Sequence, residues 1–238
     1  MLVRTIDFET TGIPTETEKH AVCEAGWCDV VDLPLDQTGD IAQWGCSAPR
    51  ATLINPGRPM PVEAMAVHHI RDRDLVGAPP ATTVFRALTQ DADVMAAHNA
   101  RFEREFFTGG DRPWICTYKC ALRAWPDAPG HSNQVLRYHL GLELDDALAM
   151  PPHRAGPDAY VTAHILVRLL DAYPIDGLIA WSSEPALLIT CQFPKYRGVK
   201  WKDVPSDYLD WMLRQKDMGE DLHHTARHHL KLRVSQGA

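Results

Sequence analysis

The sequence predicts an α/β chain: a mixed β-sheet flanked by helices, with a small C-terminal domain appended. Three observations point there. The chain has 238 residues, 45% of them apolar and spread along its length, enough for one sizeable core and a small appendage. Strand patterns come first, and strands alternating with helices follow. Beyond Pro174 the character changes to short apolar and basic segments, which divides the chain into domains at 1–174 and 175–238.

Local pattern supports each element in turn. Residues 2–8, Leu-Val-Arg-Thr-Ile-Asp-Phe, alternate as a strand does, and Thr10-Thr11-Gly12-Ile13-Pro14 ends it abruptly. Strands are expected at 27–33 and 50–55, and a helix at 82–90. A short buried strand, Val94-Met95-Ala96-Ala97, then runs into His98-Asn99, where Asn99 is placed to cap a helix carrying Phe102, Phe106 and Phe107. Trp114-Ile115-Cys116-Thr117 reads as a strand, followed by a helix through Ala121 to Trp125 that Pro126 stops. Ser132 is placed to cap the next helix, which ends at Gly141. Residues 158–170 form the clearest amphipathic helix, with Val161, Ile165 and Leu169 on one face. Helices at 176–190, 208–213 and 222–232 complete the tail.

Bulk charge and composition narrow the function classes. A net charge of -7 argues against a protein that grips nucleic acid over its whole surface. It leaves a nuclease open, because metal ions neutralise phosphate locally. Residues 191–238 carry nine Lys plus Arg against six Asp plus Glu, leaving 15 against 25 elsewhere, so the tail is basic and the body acidic. No stretch approaches the roughly 20 apolar residues of a membrane span, and the N-terminus lacks a signal-peptide layout. A cytoplasmic protein without a membrane partner is expected. The six cysteines are too sparse for a disulfide framework, and the spacing of Cys23, Cys28 and Cys46 fits no common zinc pattern.

The chemistry-bearing residues fall in three places. Asp7 and Glu9 lie two apart on a strand, so both carboxylates project from one face, where a divalent cation would remove the penalty of burying two anions. An isolated Asp-x-Glu also suits a solvated edge strand. Glu103, in the first turn after Asn99, puts a carboxylate beside a buried strand, although helix-dipole electrostatics explain it equally well. His153 precedes Asp158 by five residues in a loop, so the histidine can reach over a site while the aspartate stays fixed. Histidine as a residue type can serve as a base near neutrality.

Asp-x-Glu on the first strand, Asn-x-x-Phe-acid at a mid-chain helix start and His-x-x-x-x-Asp before a long helix together resemble the DEDDh exonucleases, which have a ribonuclease H-like fold. Met1 to about Leu170 resembles a bacterial branch of that family. The likeness includes Glu63-Ala64-Met65-Ala66-Val67-His68, Trp125-Pro126, Ser132-Asn133 and His153-Arg154-Ala155. Phe193-Pro194-Lys195-Tyr196-Arg197-Gly198 extends it into the tail.

The resemblance implies a 3'-to-5' exonuclease that releases nucleoside 5'-monophosphates from DNA ends, single- or double-stranded. Two Mg²⁺ or Mn²⁺ ions are implied, with Asp7, Glu9, Glu103 and Asp158 as ligands and His153 as the base. Family positions that cradle the terminal nucleotide fall on Thr10, Thr11, Glu63, Val67, His68, Asn99 and Phe102. Phe102 with Phe106 also has ordinary core spacing. Glu103 stands where the family usually has aspartate, which implies activity with altered metal preference. Pro194 stands where the tail motif normally has glycine.

In the tail, Lys195, Arg197, Lys200 and Lys202, interleaved with Tyr196 and Trp201, suit a phosphate backbone and stacked bases, or else a small packed appendage with solvated lysines. The pairs His223-His224 and His228-His229 are expected on an exposed helix end. Rival readings are an RNA-trimming exonuclease of the same fold and an inactive nucleic-acid-binding module in which Glu103 marks decay.

Overall fold

The computed structural model describes residues 1–15, 17–33 and 44–236. The alternating N-terminal segment is β1 (Leu2–Thr10), two residues longer than expected. Alternation sorts its side chains. Ile6 and Phe8 enter the core on one face of the sheet, and Val3 enters the core on the other, the face to which Asp7 and Glu9 also belong.

β2 (Val22–Asp32) runs antiparallel to β1 and begins five residues before the expected start. Its first residues, which include Glu24 and Gly26, have weak strand propensity and are held by pairing with the carboxylate end of β1. Two short strands, β3 (Trp44–Cys46) and β4 (Arg50–Leu53), pair with successive stretches of β2. β3 has three residues, too few to display a period. β5 (Val94–Ala97) and β6 (Trp114–Cys116) extend the sheet in parallel on the far side of β1. The order β3-β2-β1-β5-β6, with β4 also on β2, leaves β1 central in a mixed sheet.

The helices of the body are α1 (Val62–His68), α2 (Ala81–Thr89), α3 (Ala100–Phe106), α4 (Thr117–Ala124), α5 (Asn133–His139), α6 (Asp146–Ala149) and α7 (Ala155–Ala172). α7 starts three residues before the expected 158 and covers one face of the sheet, where Val161, Ile165, Leu166 and Leu169 pack with Val3, Cys28 and Val30. Burying each such side chain contributes about 1.5–3 kcal/mol. On the other face, Val84 and Leu88 of α2 pack with Ile6, Phe8 and Met95. The helices therefore sandwich β1, and its last residues emerge between them.

Two expected caps are absent. Asn99 stands at the N-cap of α3 in the left-handed region, φ 74°, and its side chain makes no capping bond. The turn out of β5 needs that conformation, which asparagine tolerates, whereas capping geometry needs extended backbone. Ser132 precedes α5 in extended backbone, also without a capping bond.

α8 (Ile175–Ser183) ends well before the expected 190, because Glu184 precedes Pro185 and is extended. Leu178 of α8 joins the core under α7, with Ile175, Ile179 and Trp181 against it. By packing, α8 belongs to the body, and the division expected at 174 falls one helix early.

A separate small core follows, formed by Cys191, Trp201, Val204, Leu209, Met212 and Ala226, with α9 (Ser206–Leu213) and α10 (Glu220–Gln236) around it. Trp201 is fully buried there and is not presented to a base, which agrees with the packed-appendage alternative for that residue. Lys200 pairs with Asp127 at 2.8 Å, and Lys195 lies over the rings of Tyr196 and Tyr208. Pro194 opens a 3-10 turn, Pro194–Tyr196. The four tail histidines are half-buried rather than on an exposed end, and the His223 Nε2–H donates to the Gln215 carbonyl at 2.9 Å. Among the described residues no helix is long and apolar enough to cross a membrane, and the six cysteines are free.

Candidate active site

One carboxylate oxygen each from Asp7, Glu9 and Asp158 lie within 4.8 Å of one another. Among the described residues, this is the group of three or more metal-type side chains gathered so closely. Strand alternation presents Asp7 and Glu9 to α7, and a register shift between Glu9 and Thr10 turns the chain away immediately afterwards. Asp158 arrives on the first turns of α7, where three contacts hold that end of the helix on the sheet and a fourth ties it to the preceding loop.

The Thr5 hydroxyl lies 3.1 Å from the Ala159 carbonyl and 2.7 Å from that of Cys28. Glu24, opposite Glu9 on β2 and only 2% exposed, accepts two bonds from the Arg154 guanidinium and a third, 3.0 Å, from the Ala155 N–H. Gly26 sits opposite Asp7, and a Cβ there would lie 2.0 Å from the Ala155 carbonyl group. Only glycine lets the helix come this close. Finally, the His153 backbone N–H donates to Asp158 Oδ2 at 2.7 Å, from a histidine with φ 60°.

The electrostatics are those of anions without a counter-charge. Burial pushes Asp7 well above the ordinary carboxylate range, with Asp158, Glu103, Glu9 and Glu24 adding repulsion. Burial, then Asp158 and Glu24, push Glu9 up to about 8, partly offset by Arg154. Asp158 is raised by burial despite the bonds from His153 and Gln134. Arg154 is the nearby cation, and Glu24 holds it. A group of oxygen donors that is uncomfortable when ionised suits a hard divalent cation.

Glu103 is outside the 4.8 Å group. It lies in the first turn of α3, 2% exposed, close enough to Asp7 to raise it. Burial pushes Glu103 itself up to about 8, and its Oε2 has no hydrogen-bond partner. An orphaned buried carboxylate oxygen beside three crowded carboxylates is a further mark of a cation site.

All the remaining expected residues line the same cleft, of about 700 Å³. His153 is exposed at its edge. Glu63 and Val67, one turn apart on α1, and Phe102 of α3 present side chains to it, Phe102 packing edge-to-face on Phe106 at 5.4 Å. Other positions are tied to the scaffold. Thr10 Oγ1 donates to the Gly12 carbonyl at 2.8 Å, and the buried Thr11 hydroxyl accepts from the Ala21 N–H at 3.0 Å. His68 is 2% exposed, with Nδ1 accepting from the Ile70 N–H at 3.0 Å and Nε2 facing Cys23 Sγ at 3.8 Å. These three shape the cleft wall more than they reach into it.

Sequence reasoning missed Glu24 and Gly26, whose partners lie about 130 residues away, and also His98. His98 is pushed down to about 4 by burial, donates Nε2–H to the His131 carbonyl at 2.8 Å and accepts from Thr117 Oγ1 at 2.9 Å. Its place next to Asn99 in the motif was the available signal.

The family model described as "Exonuclease" matches residues 5–166. Exodeoxyribonuclease 10 of Escherichia coli strain K12 is 30% identical over 236 residues, covering 97% of this chain and 99% of that protein. Among solved structures, exonuclease X in complex with 5' overhanging duplex DNA is similar with a TM-score of 0.62 at 27% identity, covering 76% of this chain and 99% of that one. The nuclease domain of 3'hExo, a DEDDh family member bound to rAMP, is similar in fold, with a TM-score of 0.52 at 15% identity over 75% of this chain and 94% of that one.

Proposed function

We propose a function for this chain from the fact that it belongs to the exonuclease family: it is a 3'-to-5' exodeoxyribonuclease, dependent on divalent metal, that releases nucleoside 5'-monophosphates from DNA ends. The observation that carries this reading is the convergence of Asp7, Glu9, Asp158, Glu103 and His153 on one cleft. A cytoplasmic site of action and a part in DNA repair go with it.

The cofactor in this reading is magnesium, two ions per site, with manganese as a substitute; bound, it would neutralise the phosphate and favour ionised water. Asp7 would be a ligand together with the two carboxylates gathered beside it. Glu9 and Asp158 would hold the metal with it, and Glu103, outside that close group, would offer its unpartnered carboxylate oxygen as a further ligand. His153 takes the proton of the attacking water, and its exposure lets it pass that proton to solvent. Its backbone N–H meanwhile fixes the Asp158 carboxylate, so the base and one ligand are positioned together. Phe102 and Val67 offer faces for the terminal bases, a sequence-tolerant contact.

The test is purified protein with Mg²⁺ or Mn²⁺ and 5'-labelled single-stranded DNA, double-stranded DNA and RNA. Stepwise shortening of DNA is expected, slowed about 10²- to 10⁴-fold by His153→Ala. Absence of shortening on every substrate, with no difference between the protein and its variant, would sink the proposal.

A further inference from the structure

A second groove, of about 670 Å³, opens beside the catalytic cleft and shares His98 and Asn99 with it. Its near wall is the body, through Tyr118 and the turn at His131-Ser132, and its far wall is Leu188–Gln192, the first segment of the small C-terminal core. That segment is held rigidly. The Leu188 N–H donates to Thr225 Oγ1 at 3.0 Å, the Ile189 carbonyl accepts from Trp201 N–H at 3.0 Å, and the Cys191 N–H donates to the Val199 carbonyl at 2.8 Å.

The lining identifies the occupant. In a chain with 31 Asp plus Glu against 24 Lys plus Arg, no acidic residue among the described residues lines this groove. Ser132, Thr190 and Gln192 offer hydroxyl and amide groups, Leu188 and Ile189 an apolar wall, and Tyr118 a ring. At the shared rim Asn99 makes no side-chain capping bond and is exposed. Neutral hydrogen-bonding groups with apolar and aromatic faces suit bases, and the lack of carboxylates lets an anionic backbone enter.

We infer that this groove seats the single DNA strand behind its terminal nucleotide, so that the C-terminal domain is half of the substrate-binding surface. The inference rests on the exonuclease reading above. Continuity with the cleft is its main support: His98 and Asn99 line both, so a strand whose 3' end lies at Asp7 and Asp158 has a path from one into the other.

Gln192 is exposed and far from the carboxylates in the chain, so it can carry either charge without harm to the fold. Gln192→Glu and Gln192→Arg are compared in the full-length protein on two substrates, the p-nitrophenyl ester of thymidine 5'-monophosphate and a single-stranded oligonucleotide of about 12 residues. Both variants should match the parent on the ester, which does not reach the groove. On the oligonucleotide, kcat/KM should fall roughly threefold for Gln192→Glu and rise roughly threefold for Gln192→Arg, with both differences shrinking as salt is raised. Structural damage would instead lower both.

Equal activity of the two variants on the oligonucleotide would overturn the inference. So would a length-dependent loss confined to Arg101→Glu, because Arg101 lines the other shallow exit, between Ile13–Thr15 and α3. If the parent fails on the ester and on DNA alike, the exonuclease reading falls. If only the Gln192 pair is silent, the groove alone falls.

Discussion

The body and the tail treat charge in opposite ways. Around β1 four carboxylates, two buried and two half-buried, crowd together while the neighbouring cation, Arg154, is held by Glu24. In the tail three of the nine cations have partners within the protein: Lys200 meets Asp127, Arg233 donates to the Lys202 and Val204 carbonyls at 2.8 and 2.7 Å, and Lys195 lies over two tyrosine rings. A packed scaffold keeps such carboxylates either by protonating them or by borrowing positive charge from outside the chain. The tail is built for stability, and the end of β1 keeps a destabilising charge arrangement that has a use.

Removing one of those anions should break the contrast most strongly. Asp7→Asn, the same in shape, is expected to lower kcat/KM on DNA by about 10³ or more while raising the metal-free melting temperature at pH 8. A variant that is both inactive and less stable would mean that Asp7 is a structural residue. Gly26→Ala should come next. The added methyl meets the backbone of Ala155, and the overpacking should cost about 1–3 kcal/mol in urea unfolding and displace Asp158, with activity falling in step. Full activity in this variant would show that the close approach of α7 is dispensable.

The pH dependence of the metal-free protein sharpens the comparison further. Glu9 and Glu103 have folded values of about 8 against an ordinary 4.5. Their contribution to stability is therefore complete below pH 4.5 and is lost as pH rises through 8, because the unfolded chain releases these protons first. Melting temperature should fall across that window, and added Mg²⁺ should restore more of it at pH 8 than at pH 5. A flat or rising profile without metal would contradict the account of the cluster. The smallest effect belongs to the tail: Lys200→Ala breaks an exposed ion pair and should leave both melting and DNA shortening almost unchanged.

Legibility in the sequence followed the same boundary between local and distant causes. The pairing of Asp7 with Glu9 is a matter of strand alternation, and Asp158 lies on the most periodic helix of the chain, so both could be read along the chain. Glu24 and Gly26 could not, because each acquires its meaning from Arg154 and Ala155, which only folding brings near. Asn99 misled, and Trp201 stayed open, for a related reason. Asparagine serves both caps and left-handed turns, and an aromatic among lysines suits a base-binding strip as well as the centre of a small core.

The span between Glu24 and Arg154 also sets when the protein can first act. Asp7 and Glu9 precede Asp158 by about 150 residues, and the clamp that seats α7 closes only after both sides of it are out of the ribosome. A growing chain that has not yet released Arg154 and Ala155 therefore carries no assembled site.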